Sequence, residues 1–339
     1  MEAFLYEKLE DQKVRCNLCC HRCMIQDGKR GICQVRENRS GRLDTLVFGK
    51  IVARNIDPIE KKPIFHLAPG SLSYSIAACG CNFKCQFCQN ADIAQMPSDQ
   101  RGMIVGHDCF PEDIIADAIM NGCKTIAYTY TEPTVFFEFA YETAKLAREK
   151  GIKNIFVTNG YMTPEALEMI SPYLDAANVD LKAFTNDFYQ NYCHAKLEPV
   201  KTTLKRMKAL GILVEVTTLL IPGLNDDPGE LKQLAAFIAE DLGVETPWHI
   251  SRFHPTYKMT DRSITPVNAI MQARKIGMEA GLRYVYSGNI HGESGENTMC
   301  YHCGEILIKR HGYHILDNRI TDSHCPFCRT LIDGMDLQS

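Results

Sequence analysis

The stretch SYSIAACGCNFKCQFCQN, residues 73–90, decides how the rest of the chain is read. Its first six residues are a short apolar run of the kind that forms a buried strand. The ten positions from Cys79 to Cys88 then carry four cysteines, with one glycine and no proline among them. Cys81, Cys85 and Cys88 have the spacing C-x3-C-x2-C. Iron–sulfur cubes ordinarily take one cysteine thiolate per iron, so a tight loop with three thiolates closes on three irons and leaves the fourth open to a small molecule. A zinc site with a distant fourth ligand, or a structural cube completed by a distant thiolate, uses the same three residues. Cys79 stands two residues early and reads as a strand-end core residue.

Downstream of this loop, strand and helix patterns alternate. Apolar runs at 124–130, 153–160, 176–184, 212–223, 247–253 and 282–288 read as further strands. Helical spacing covers 111–122, 133–151, 163–174, 199–211, 227–243 and 267–281, several opening with proline and closing at glycine. Repeated strand–helix units with continuous apolar strands predict an α/β fold with a parallel sheet covered by helices, curved into a partial barrel. Active sites of such sheets lie at the carboxyl ends of the strands, where residues 79–90 fall.

The chain has 339 residues, 45% of them hydrophobic, enough for a large core. A net charge of −4 argues against a general affinity for nucleic acid, although local basic patches leave an RNA substrate open. The first residues lack a signal-peptide pattern and no apolar run reaches membrane-spanning length, so the expectation is a soluble cytoplasmic protein without a membrane partner. Sixteen cysteines in such a protein point to metal rather than disulfides. Cys300-x2-Cys303 and Cys325-x2-Cys328 form two knuckles able to supply a thiolate tetrahedron. Structural zinc is the favoured occupant and an auxiliary iron site the alternative, with Tyr313 and Ile315 offering a small core between the knuckles. At the other end, Cys16, Cys19, Cys23 and Cys33 offer C-x2-C-x3-C-x9-C for a further metal, with Cys20 and His21 spare. The division is then a cysteine-rich segment 1–50, a core 51–297 and a knuckle segment 298–339. Cys109, Cys123 and Cys193 read as small hydrophobes.

C-x3-C-x2-C after the first strand of a βα barrel, with Phe87 before the last cysteine, resembles the radical S-adenosylmethionine enzymes. The resemblance implies a partial (βα)6-type barrel and a [4Fe-4S] cluster on Cys81, Cys85 and Cys88. Its open iron chelates S-adenosylmethionine, whose reductive cleavage yields a 5′-deoxyadenosyl radical that abstracts hydrogen from a substrate. It also implies a reductant such as ferredoxin or flavodoxin. TYTEPT (129–134) is similar to the family's Gly-Gly-Glu-Pro stretch, which assigns Thr131 and Glu132 to the ligand's ammonium. VTNG assigns Asn159, the DLK run assigns Asp180 and Lys182, and RFHPTYK assigns His254. Read without the family, Glu132 is a helix N-terminal acid, Asn159 a turn residue, and Asp180–Lys182 a surface ion pair.

Within that superfamily the strand ends resemble pyruvate formate-lyase activating enzyme, but Val157 replaces an aspartate and Tyr130-Thr131 replaces Gly-Gly. A match over nearly the whole chain, including CNLCCHRC, DPIEKKPIFHLAPGS (57–71) and LIPGLNDD, is to the radical enzyme of the AmmeMemoRadiSam system. It implies the other two proteins of that system as partners. The function expected is hydrogen abstraction from a protein or other macromolecule. Activation of a glycyl-radical enzyme is one alternative. A non-catalytic electron carrier or zinc-ribbon adaptor is the other. DPIEKKPIFH reads equally as a lining of the site's mouth or as a solvated charged face.

Overall fold

The computed structural model describes residues 1–290 and 294–338. Eight strands build the main sheet: β1 (Lys50–Pro58), β2 (Leu72–Ala78), β3 (Thr125–Tyr128), β4 (Lys153–Thr158), β5 (Ala176–Asp180), β6 (Leu213–Leu220), β7 (Trp248–Arg252) and β8 (Val285–Gly288). They lie in the order β8-β7-β6-β5-β4-β3-β2-β1, and His107–Asp108 pairs along the outer side of β1. Strands β2 to β8 are all parallel, with registers such as Ser73 opposite Thr125, Ile155 opposite Ala176 and Val216 opposite Trp248. The seven strands expected from the sequence are these seven. Strand β1 was not expected: it runs antiparallel to β2 and covers its free edge.

Six helices join the parallel strands: α1 (Pro111–Met120), α2 (Phe137–Glu149), α3 (Pro164–Ile170), α4 (Leu197–Ala209), α5 (Pro228–Phe237) and α6 (Val267–Glu279). Six strand–helix units followed by β8 make the partial barrel. Helix starts follow local chemistry. The Thr163 hydroxyl accepts from Ala166 N at 3.2 Å, and Asp227 Oδ1 from Glu230 N at 2.9 Å, each with proline at the next position. The helix expected over 133–151 begins with a tight 3-10 turn, Pro133–Phe136, before α2 proper. Every residue of β3 is buried, as are Ser73 to Ala78 of β2, because helices cover one face and core side chains the other. Among the described residues no helix is long and apolar enough to cross a membrane.

Both cysteine-rich ends are bound into this core. Near the amino end, short strands at Tyr6–Lys8, Val14–Cys16 and Met24–Ile25 form one small sheet, and Arg36–Arg39 pairs with Arg42–Thr45 in another. Arg36 donates to Glu138 of α2 at 2.8 Å with both side chains buried. The carboxyl end forms a sheet of Thr298–Met299, Ile306–His311 and His314–Asn318. Its Leu307 and Ile308 pack with Phe65, Tyr284 and Tyr286, and Arg310 lies 3.6 Å from Glu60 with neither exposed. Deleting 298–339 therefore uncovers core side chains and orphans a buried carboxylate, so that segment is no detachable appendage.

Leu204 of α4 is fully buried, far along the chain from the cysteine loop. Leu204→Ala is expected to cost about 2–5 kcal/mol in urea unfolding through the cavity it leaves. Iron content after reconstitution should stay unchanged.

Candidate active site

The carboxyl ends of the parallel strands open on a cavity of about 400 Å³. Cys81, Cys85 and Cys88 all line it, whereas Cys79 is fully buried and does not. The loop is tied down by main-chain bonds: Gly80 N to Ile93 O, Lys84 N to Cys193 O and Gln86 N to Tyr192 O, at 2.9–3.1 Å. Gly80 is required here. Its φ is +104°, and a Cβ would lie 2.6 Å from Val35 Cγ1 of the amino-terminal segment. Burial pushes the Cys81 and Cys88 thiols up, Cys88 to about 11, with the Glu132 carboxylate pushing Cys81 further, while Cys85 is pushed up first by Cys193 and then by burial. A cation bound by all three relieves that cost by taking them as thiolates. Cys193 hydrogen-bonds Cys85 from behind the loop and is absent from the cavity wall.

Opposite the thiols stand the strand-end residues. Glu132 is 1% exposed and lines the cavity. Its Oε1 accepts from Thr134 N at 3.0 Å, Thr134 Oγ1 at 2.6 Å and Thr158 Oγ1 at 2.7 Å, while Oε2 accepts from Asn159 N at 2.8 Å. Glu132 thus does cap the 3-10 turn, yet Oε2 keeps acceptor capacity toward the cavity. Burial raises its pKa and these donors lower it, with the net effect upward. Lys182 Nζ donates to Asp180 Oδ2 at 2.8 Å and lies 5.9 Å from the Phe87 ring centre. Burial disfavours the Lys182 ammonium, but Asp180, Cys85 and Cys193 outweigh it and hold the pKa well above its ordinary value.

Phe87, Thr131, Glu132, Asn159, Asp180 and Lys182 are therefore brought together with the three thiols. Their engagements differ from the expectation in detail. Thr131 spends its hydroxyl on Ala78 O at 2.7 Å. Asn159 Nδ2 donates to Asn82 Oδ1 at 2.7 Å and lies 3.8 Å from Cys81 Sγ, so it braces the cysteine loop. His254 is exposed and does not line the cavity. Tyr313 is 46% exposed and lines the cavity, so it is no core residue of the knuckles; Ile315 does pack against the carboxyl-terminal core. That placement of Tyr313 is invisible in sequence, because it depends on how a hairpin folds back over the sheet.

The 57–66 stretch is no solvated face. Asp57 is 4% exposed, accepts from Lys61 at 2.8 Å and Lys62 at 2.5 Å, and also accepts from the Tyr130 hydroxyl. Lys61 and Lys62 line the cavity, Lys61 half-exposed and Lys62 buried. Burial draws Lys62 down to about 8 against the pull of Asp57. Tyr130 has φ +61°, a conformation that glycine adopts at least cost. Its ring under the Lys62 ammonium (4.3 Å) and its bonds to Asp57 and Asn55 hold it there.

At the carboxyl end the four knuckle thiols come within 4.8 Å of one another, with Cys300–Cys328 at 3.5 Å and Cys303–Cys325 at 3.7 Å. Four thiolates about 2.3 Å from one zinc stand about 3.8 Å apart, so the set has the dimensions of a mononuclear site.

The sequence profile of the Radical SAM superfamily matches residues 75–235, which hold the cysteine loop and the ends of β2 to β6. The protein is a radical SAM enzyme. It belongs to one family with the uncharacterized protein MJ0808 of Methanocaldococcus jannaschii, 46% identical over 98% of both chains. A pyruvate formate-lyase-activating enzyme of Streptococcus mutans is 24% identical over 47% of this chain and 63% of its own. A radical SAM methyltransferase from Sphaerobacter thermophilus shares the fold at TM-score 0.52, with 16% identity over 70% of this chain and 71% of that one. Membership overturns the reading as a non-catalytic carrier or adaptor. The superfamily implies a [4Fe-4S] cluster and S-adenosylmethionine for this radical SAM enzyme, and three inward thiols on one loop fit the cluster.

The Asp57 contacts yield a test. Burial alone would raise its carboxyl pKa, but Lys61, Lys62 and Tyr130 hold it well below the usual carboxylate value. Its contribution to stability is therefore present above the unfolded value near 3.8 and lost as pH falls below it. Asp57→Ala strands a buried ammonium and is expected to cost about 3–5 kcal/mol at pH 7. Urea unfolding at pH 7 and pH 3 should show the gap between variant and wild type narrowing in acid.

Proposed function

We propose that Cys81, Cys85 and Cys88 hold a [4Fe-4S] cluster with one open iron, and that the enzyme uses it on S-adenosylmethionine to abstract hydrogen from a protein or other macromolecule. The observation that carries this reading is the wall of the cavity: three thiols on one loop share it with the buried carboxylate of Glu132 and the half-buried ammonium of Lys182, from the ends of β3 and β5. When bound, the cluster supplies the electron that splits S-adenosylmethionine into methionine and a 5′-deoxyadenosyl radical. Glu132 Oε2 receives the ligand's ammonium, a charge-assisted bond. Lys182, steered by Asp180, faces its carboxylate. Thr131 holds the β3 end against β2, and Asn159 fixes the orientation of the loop. Phe87 keeps water from the cluster side. His254, exposed and off the cavity wall, is given no part in holding the ligand.

A macromolecular substrate is supported by the mouth. Lys61 and the Tyr313 hairpin tip, both partly exposed wall residues, offer charge and an aromatic face to a bound segment. The range 51–297 is the catalytic core in this reading, flanked by metal-bearing segments 1–50 and 298–339. The reductant is a ferredoxin or flavodoxin. The other two AmmeMemoRadiSam proteins are the partners suggested by the long motif match. Sixteen unpaired cysteines suit a reducing cytoplasm. Glycyl-radical activation is the second reading, favoured by the relatives that bear that name.

Anaerobic reconstitution with iron and sulfide, followed by dithionite and S-adenosylmethionine, should yield 5′-deoxyadenosine. Cys81→Ala, Cys85→Ala or Cys88→Ala should abolish it, and Cys79→Ala should leave it largely intact; the reverse pattern contradicts the assignment. Glu132→Gln should keep its iron and bind S-adenosylmethionine about tenfold to a hundredfold more weakly, the worth of a charged hydrogen bond.

At the knuckles we propose structural zinc on Cys300, Cys303, Cys325 and Cys328. Cys303→Ser with Cys325→Ser should release one equivalent of zinc and lower the thermal midpoint. Loss of iron instead would identify an auxiliary iron site.

A further inference from the structure

The amino-terminal cysteines form a second thiol-lined cavity. Cys16, Cys19, Cys23 and Cys33 border one small cavity, together with Arg36, Thr134 and Val135. The two spare candidates point elsewhere. The Cys20 thiol donates to Met162 O at 3.1 Å, and His21 Nε2 pairs with Asn82 O at 2.8 Å. Four thiols thus converge without a histidine or carboxylate among them, a soft donor set that selects zinc, copper(I) or an iron–sulfur cluster.

Two observations bear on the occupant, the first on its size and the second on its presence. The first is spread. Among the described residues, the knuckle set is the group of three or more such ligands whose atoms all fall within 4.8 Å of one another. The amino-terminal thiols are not so close, and neither are Cys81, Cys85 and Cys88. One zinc ion draws four thiolates to about 3.8 Å. A cube spreads them further, because each thiolate sits on a different iron at its own corner. The second is Arg36. Its side chain is 2% exposed, its terminal nitrogens bond Glu138 and Phe4 O, and its Nε has no acceptor among the described residues. A buried N–H without a partner is costly, and this one belongs to a residue on the cavity wall. A metal group on the four thiols offers it a sulfur acceptor.

We infer that Cys16, Cys19, Cys23 and Cys33 hold a second [4Fe-4S] cluster, with Arg36 Nε donating to one of its sulfurs. All four irons then have protein ligands, so this cluster has no open position and does not bind S-adenosylmethionine. It lies one residue from the first cavity: Thr134 borders it and donates to Glu132 Oε1, which borders the other.

The test uses the full chain with Cys81, Cys85 and Cys88 all changed to Ala, reconstituted anaerobically with iron and sulfide. It should keep about four iron and four acid-labile sulfide per chain. On reduction it should show an electron-paramagnetic-resonance signal that S-adenosylmethionine leaves unchanged. Adding Cys16→Ser and Cys33→Ser should remove iron and sulfide together. If the triple variant does not fold, the wild type should hold about eight iron and eight sulfide, falling to about four of each in the Cys16→Ser/Cys33→Ser protein. Zinc without sulfide at this end, or no sulfide beyond the first cluster's, overturns the inference. Counting sulfide rather than iron keeps a mononuclear iron in the knuckles from imitating the result.

Discussion

The buried carboxylate of Glu132 is the constraint on which the arrangement depends. Its two oxygens collect four hydrogen bonds from Thr134, Thr158 and Asn159. Those donors come from the turn after β3 and the end of β4, so one side chain joins two strand ends. Asn159 continues the chain of bonds to Asn82 in the cysteine loop, and Thr131 ties the same turn to Ala78 at the end of β2. Three strand ends and the loop are thereby fixed relative to each other before any ligand arrives. A charge buried at 1% exposure is affordable only with such a set of donors. The same donors leave Oε2 with room for one more partner, on the cavity side.

The barrel was legible because its strands are buried on both faces and read as apolar runs between helices with proline starts and glycine ends. The edge strand β1 was not. KIVARNIDP alternates in burial only at its start and exposes Arg54, Asn55 and Ile56, as an antiparallel edge strand does, so its sequence carries no buried-strand signal. The cysteine spacing identified which thiols converge in the central loop and at the knuckles. It carried no information on sulfur–sulfur distance, which separates a one-metal site from a cube and belongs to three dimensions. Tyr130 is a further case. Its departure from glycine looked like a loss of the motif, yet the residue holds the left-handed conformation through Asp57, Asn55 and Lys62, a stretch more than sixty positions away.

The two cysteine-rich ends do different work on the same core. The carboxyl-terminal segment buries Glu60 against Arg310, meets the His66 ring with the Asp333 carbonyl, and sends Tyr313 to the cavity. Metal at the knuckles therefore bears on the shape of the mouth as well as on local folding. The amino-terminal segment meets the central loop directly, through Val35 at Gly80 and His21 at Asn82. Small side-chain changes in either end reach the active-site region by packing, without touching a ligand.

The central claim is that the thiols of one loop leave an iron open for S-adenosylmethionine beside Glu132. Electron–nuclear double resonance on the reduced wild-type protein with S-adenosylmethionine labelled by ¹⁵N at its amino group tests this directly. The account predicts a ¹⁵N coupling of the size expected for a nitrogen bound to cluster iron. A cluster signal with no such coupling, at saturating S-adenosylmethionine, contradicts it.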